Sequence, residues 1–209
     1  MMPLPQQLTS LVAEGLRSVD THPNNELILP LRRKIWAQMG PYRDSQGVLR
    51  RYDLARQCAQ KAMPAWVDAF PDDNSPLQLL EQCDAYVSSQ SLDSRNLLNL
   101  KSDKFSMFLD LHMMDDEERA INAACSVYHT VRIILGDDVP QYALTNFEEM
   151  DEDLDLFRWD SSYYASAAFA GNFPVDYQGE RNEDCDYNKL EEFWCWYLNE
   201  AVPSAYQAF

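Results

Sequence analysis

The chain has 209 residues and a net charge of −17, and its 46% hydrophobic and 12% aromatic content supplies a core and excludes a disordered chain. Only 6 glycines disfavour a glycine-rich β-sandwich or a dinucleotide-binding fold. The start, Met-Met-Pro-Leu-Pro, lacks the basic and apolar parts of a signal peptide, and no run reaches the roughly 18 apolar residues of a membrane span, so the expected location is the cytoplasm.

Leu8, Leu11, Val12, Leu16 and Val19 recur at helical spacing and predict a helix over about 5–20. His22-Pro23-Asn24-Asn25 breaks it. Leu27 to Met39 reads as a second helix, with Leu31, Ile35 and Met39 on one face and Arg32, Arg33 and Lys34 on the other; Gly40-Pro41 stops it. A long amphipathic helix follows over about 46–70, carrying Leu49, Leu54, Cys58, Met63 and Trp66, with Pro64 as a point of kinking or division. After the turn from Phe70 to Pro76, Ser75 is the expected cap of a helix that displays Leu77, Leu80, Cys83 and Val87. Residues about 93–113 are helical in pattern, with a break expected near Lys101-Ser102-Asp103. Asp115 to Glu118 place negative charge at the start of a helix reaching about Leu135, where Gly136 ends it. Residues 140–157 show no clear period. A helix over about 158–170, a loop over 171–187 and a last helix over about 188–206 complete an all-α array of seven to nine helices, read as one domain over residues 1–209.

The five cysteines are odd in number, widely spaced and without a Cys-x-x-Cys pair, so buried reduced thiols are expected rather than a disulfide framework or zinc site. His22, His112 and His129 form no pair at ligand spacing and read as structural. No nucleophile set, phosphate loop or cofactor motif stands out.

Charge is uneven. Residues 1–136 hold 14 basic and 17 acidic residues, whereas residues 137–209 hold 3 basic and 17 acidic, a net of −14. Such a surface repels nucleic acid and anionic membrane and attracts cationic partners. Its densest run is Glu148, Glu149, Met150, Asp151, Glu152, Asp153, Leu154 and Asp155. A calcium loop opening at Asp151 would need glycine at its sixth position and glutamate at its twelfth, where the chain has Leu156 and Ser162, so no metal is expected. The run is a solvated face or a contact surface for a basic partner. The clusters Arg32-Arg33-Lys34 and Arg50-Arg51 are expected to pair with this acidic third. Trp194, Tyr197 and Leu198 share one helical face and read as core, leaving Trp196 to point elsewhere; with Trp159 it is a second candidate contact.

Leu54-Ala55-Arg56-Gln57-Cys58-Ala59, then Met63-Pro64, Phe70-Pro71-Asp72-Asp73 and Ser75-Pro76, resemble the helix–turn–helix of immunity proteins of bacterial polymorphic toxin systems, and among them the fifth immunity-protein family. The family has a similar Cys-Ala, a Leu-Pro pair, then Pro-Asp and Arg-Pro before a helix; here Met63 precedes Pro64 and Ser75 stands where arginine is frequent. The blocks from Trp159 to Gly171 and from Phe193 to Pro203 are of the same helical bacterial kind, so the resemblance covers residues 50–90 and 158–206. It implies a cytoplasmic antidote that binds a cognate toxin domain, occludes its active site and performs no reaction. An acidic chain suits a toxin with a basic cleft. Charge alone equally permits an acidic mimic of nucleic acid that inhibits a nucleic-acid enzyme, and a carboxylate-metal α-helical enzyme is the third reading. The first candidates for partner contact are Glu148, Glu149, Asp151, Glu152, Asp153 and Asp155, followed by Trp159 and Trp196.

Overall fold

A computed structural model describes residues 3–112, 117–136, 141–154, 158–176 and 178–209. Nine α-helices follow one another among them: α1 (Gln6–Thr21), α2 (Leu29–Gln38), α3 (Ser45–Ala69), α4 (Ser75–Ser89), α5 (Leu92–His112), α6 (Glu118–Leu135), α7 (Ser161–Ala170), α8 (Tyr187–Trp196) and α9 (Val202–Ala208). No strand occurs among the described residues; Val175 and Arg181 form one isolated antiparallel bridge. The acidic stretch without a clear period holds two short 3-10 turns, Gln141–Leu144 and Asp151–Asp153. No described helix is long and apolar enough to cross a membrane.

The centre is α7, whose sequence Ser-Ser-Tyr-Tyr-Ala-Ser-Ala-Ala-Phe-Ala is buried at every position but Phe169. A helix apolar all round must be covered on all sides, and α3, α6 and α8 do so. Small side chains bring these helices close. Where Ser161 enters the core it meets Ser126 Oγ at 3.0 Å and Thr130 Oγ1 at 2.9 Å, so the buried hydroxyls satisfy one another.

Helix ends follow local chemistry. Asp44, Asp160 and Asp186 accept backbone N–H bonds from the first turns of α3, α7 and α8. Because Asp160 is a cap, α7 begins at Ser161, later than the expected 158. Ser75 does not cap α4: its N–H donates to Asp73 Oδ1 at 2.8 Å, and Asn74 precedes the helix without a side-chain cap bond. The expected break in α5 is absent, since Lys101-Ser102-Asp103 contains neither glycine nor proline and Ser102 is buried. Pro64 sits inside α3 without dividing it.

The last helix has a defect with a cause. Between α8 and α9, Tyr197–Ala201 form a π-helical turn in which Val202 N–H reaches back to Tyr197 O. Pro203 follows, with no N–H to give and a ring that would clash with the carbonyl four residues earlier. The wider turn admits it, and Asn199 Nδ2 donates to Cys195 O at 2.9 Å. Trp194, Tyr197 and Leu198 are fully buried, as their shared face predicts.

Candidate partner-binding surface

Arg32 organises the acidic loop. Its place on α2 puts the guanidinium wholly out of water, 4.9 Å from the Tyr163 ring centroid and 5.5 Å from that of Trp194. There Nη1 donates to Leu27 O at 2.7 Å and to Asp151 Oδ2 at 3.1 Å, Nη2 donates to Asp151 Oδ1 at 2.5 Å, and Nε donates to Asp160 Oδ2 at 3.0 Å. Asp160 turns its other oxygen to the N-terminus of α7, so one carboxylate joins α2 to α7. Burial works against the charge on Arg32, but Asp151 and Asp160 outweigh it and raise its pKa. Burial likewise pushes the Asp151 carboxyl up, with the Arg32 guanidinium opposing.

Arg33 fastens the same loop one turn earlier, donating from Nη2 to Glu149 Oε2 at 2.8 Å and from Nη1 to Asn146 O at 3.1 Å. Arg158 takes the other Glu149 oxygen at 2.8 Å. The Arg33 bond, aided by Arg158, holds the Glu149 carboxyl below its usual range. Trp159 adds a third tie: Nε1 donates to Asp151 O at 3.1 Å while the ring packs on Tyr163, Tyr164 and Phe173.

The acidic run therefore divides. Asp151 is buried and committed to Arg32, and Glu149 is half-buried between two arginines. Both are internal ties, because unpaired charge inside a protein is costly and the arginines of α2 are at hand. Glu148, Glu152 and Asp153 stand exposed. Asp153 Oδ2 accepts from Met150 N at 3.0 Å, which closes the turn. Asp155 lies outside the described residues. Trp159 is an internal clamp. Trp196, half-buried on α8, is covered by Lys61, whose Nζ lies 4.7 Å from its ring centroid. The acidic third thus pairs with Arg32 and Arg33 as expected, while Arg50 and Arg51 turn to backbone carbonyls instead, Met39 O and Gly40 O among them.

Three carboxyl groups surround Arg32, two buried and Asp160 half-buried, and one cation cannot balance three such anions. Glu26, on the connection between α1 and α2, is the odd one. Burial, then the neighbouring Asp151, push its carboxyl up to about 8, and Arg32 offsets this only in part. Glu26 carries no signal in the sequence, since a lone acid between Asn24-Asn25 and Leu27-Ile28-Leu29 breaks no period and fits no motif.

Other chemistry is sparse. Among the described residues no three His, Cys, Asp or Glu side chains are grouped to hold a metal ion. His129 is buried and stacked on Tyr164 at 5.2 Å. Cys58, Cys83 and Cys185 are buried free thiols, Cys125 is buried as well, and burial pushes Cys83 and Cys185 up to about 12, far from a reactive thiolate.

Comparison with known families places this architecture. The model of the family described as immunity protein Imm5 matches residues 12–204, which include Arg32, Glu26 and the whole acidic loop. A search of curated proteins finds no match to the chain. With nearly its full length matched, the chain belongs to the Imm5 family of immunity proteins.

Proposed function

We propose that this chain, acting as one domain in the cytoplasm, binds a cognate secreted toxin domain and neutralises it by occluding a basic active-site cleft, without catalysing a reaction. The supporting observation is the fastened acidic loop. Glu148, Glu152 and Asp153 stand exposed on a segment that Arg32, Arg33 and Trp159 tie to the helical body. A loop ordered before docking loses little entropy on binding, and its carboxylates steer a cationic partner. The net of −14 over residues 137–209 disfavours nucleic acid and anionic membrane as partners.

The test is co-expression with the toxin domain encoded by the neighbouring gene. Wild-type protein restores growth and co-purifies with the toxin. A triple variant, Glu148→Lys, Glu152→Lys and Asp153→Lys, keeps its helical circular dichroism but loses both. Equal rescue by the triple variant rules out the loop as the contact. Failure of the wild type to rescue, with inhibition of an unrelated nucleic-acid enzyme, favours the nucleic-acid-mimic reading.

A further inference from the structure

We infer that the outer face of α5 is a self-association surface, on which a second copy of this chain docks its own α5 antiparallel about a two-fold axis. The pairing sets Leu97 against Leu100 of the second copy and Asp93 against Lys104 of the second copy, each contact made twice.

Helix α5 carries two ordered faces. Leu98, Ser102, Phe105 and Leu109 are buried, at spacings of four, three and four residues, where the helix packs on α4 and α6. The same spacing recurs on nearly the opposite side with Asp93, Leu97, Leu100 and Lys104, and all four are exposed. Leu97 and Leu100 are 43% and 54% exposed. A single exposed leucine calls for no explanation, but two on one stripe, closed by an acid at one end and a base at the other, do. The macrodipole accounts for an acid at Asp93, in the first turn, but not for Leu97, Leu100 or a base at Lys104. No residue three or four places from Asp93 or Lys104 carries the opposite charge, and neither side chain joins an ion pair among the described residues. Asp73, which shares an open groove with Lys104, accepts instead from Ser75 N–H at 2.8 Å. Arg95, the cation nearest Asp93 in sequence, donates to Leu135 O at 3.3 Å.

The stripe is its own complement. Asp93 and Lys104 lie three helical turns apart, about 16 Å, and the midpoint falls between Leu97 and Leu100. Turning the helix end for end about that midpoint brings Asp93 onto Lys104 and Leu97 onto Leu100, and the reverse. A two-fold interface requires this property: if one residue meets a second, the second meets the first. The spacing of four, three and four residues is that of a left-handed helix pair, in which leucines interdigitate and charges fix the orientation. A parallel pair would set Asp93 against Asp93 and Lys104 against Lys104, so the charges select the antiparallel one. Each helix contributes only a short stripe. The interface is therefore of the small class, below about 1,200 Å² in total, and the dimer dissociates on dilution. The dimer does not depend on the toxin-binding reading, because α5 packs on α4 and α6 whereas the acidic loop is fastened to α2 and α7.

Sedimentation of the full chain from about 5 to about 500 µM, at about 20 mM salt so that surface charges are little screened, tests this. Wild type is expected to pass from monomer to dimer with a dissociation constant in the tens of micromolar. Leu97→Asp weakens the dimer about tenfold or more. Asp93→Lys alone and Lys104→Asp alone each self-associate several-fold more weakly, because each sets like charges together twice. Mixed one to one, these two variants form a heterodimer as tight as the wild-type dimer, since both contacts are again opposite in charge. No role confined to a single chain predicts that recovery. All three substitutions are at exposed positions and keep the helical circular dichroism. The dimer is disproved by wild type that stays monomeric up to about 500 µM, or by self-association that Leu97→Asp leaves unchanged, which puts the contact on another face. The antiparallel pairing is disproved by a mixture that associates no more tightly than either variant alone. Protection of α5 from hydrogen exchange by the neighbouring-gene toxin domain, in a chain that stays monomeric, gives the face to the toxin and also overturns the proposal.

Discussion

Arg32 and Asp151 meet through two hydrogen bonds, 3.1 and 2.5 Å long, with the guanidinium wholly shielded from water. Breaking such a pair is asymmetric. Without Asp151, Arg32 still has Asp160 and Leu27 O. Without Arg32, Asp151 and Asp160 are left as buried or half-buried carboxylates beside Glu26. Arg32→Met is therefore expected to cost on the order of 3–5 kcal/mol, and Asp151→Asn clearly less, about 1–3 kcal/mol. Urea unfolding of the two variants decides it. Equal costs would mean that Asp160 draws little from Arg32.

Glu26 sets a pH dependence whose sign is fixed. Its carboxyl is raised from an ordinary 4.5 to about 8 in the folded protein, so the folded state binds the proton more tightly than the unfolded chain. The stability this provides is complete below about 4.5 and is lost as pH rises through about 8. Glu26→Gln keeps the neutral shape and removes the titration. Relative to wild type, the variant should gain on the order of a few kcal/mol between pH 5 and pH 9, since a tenfold change in proton affinity is worth about 1.4 kcal/mol. Parallel stability curves for the two proteins would show that Glu26 ionises normally in the fold.

Trp159→Phe isolates one tie of the acidic loop. The ring contacts with Tyr163, Tyr164 and Phe173 persist, and the bond from Nε1 to Asp151 O is lost. The expected stability loss is about 1 kcal/mol, the net worth of one hydrogen bond. Hydrogen exchange should quicken at Asp153 and Leu154, whose N–H groups close the turn on Met150 O and Asp151 O. Unchanged exchange there would mean that Arg32, Arg33 and the Asp153–Met150 bond hold the turn without Trp159.

Gly47→Ala sets helix propensity against packing. Alanine in the first turn of α3 should help by roughly 0.5–1 kcal/mol on propensity alone. A Cβ at Gly47, however, would lie 3.0 Å from the Gly40 backbone and 3.1 Å from Pro41 O. Backbone cannot swing aside as a side-chain tip can, and Gly40 is itself held at φ +141°. Overpacking of this kind costs typically about 1–3 kcal/mol, so the variant should be destabilised and melt lower. A raised melting temperature would mean that the α2–α3 turn yields freely.

Local signals carried most of the fold. Apolar periodicity and breaker residues located the helices up to α8, the last expected helix is divided into α8 and α9, and Gly136 ends α6 as expected, in the left-handed conformation. The misses are instructive in physical terms. Ser75 looks like a cap, but Asp73 reaches its N–H first. The π-helical turn before Pro203 depends on how one ring meets the preceding turn, which composition does not show. For the site, the sequence pointed to the acidic run and its pairing with Arg32 and Arg33, but it could not sort exposed from buried members. That sorting depends on Arg32 lying 119 residues from Asp151 and 128 from Asp160, a separation that only the tertiary fold closes.

The exposed carboxylates give the last expectation. Replacing Glu148 and Glu152 with Gln and Asp153 with Asn removes three surface charges and leaves the internal ties untouched. Asparagine at 153 keeps an acceptor for Met150 N. Stability should change by less than about 0.5 kcal/mol, as for most surface substitutions. Association with the toxin domain should behave differently. The rate falls because steering is lost, and the remaining rate depends less on salt, since exposed charges are screened over about 8 Å at physiological ionic strength. Dissociation should quicken for whichever of the three the docked toxin buries against its own cation. Single variants measured by stopped flow from low to high salt separate these parts. If all three singles slow association equally and none alters dissociation, the loop acts only by long-range steering, and the close contact lies on another face of the molecule.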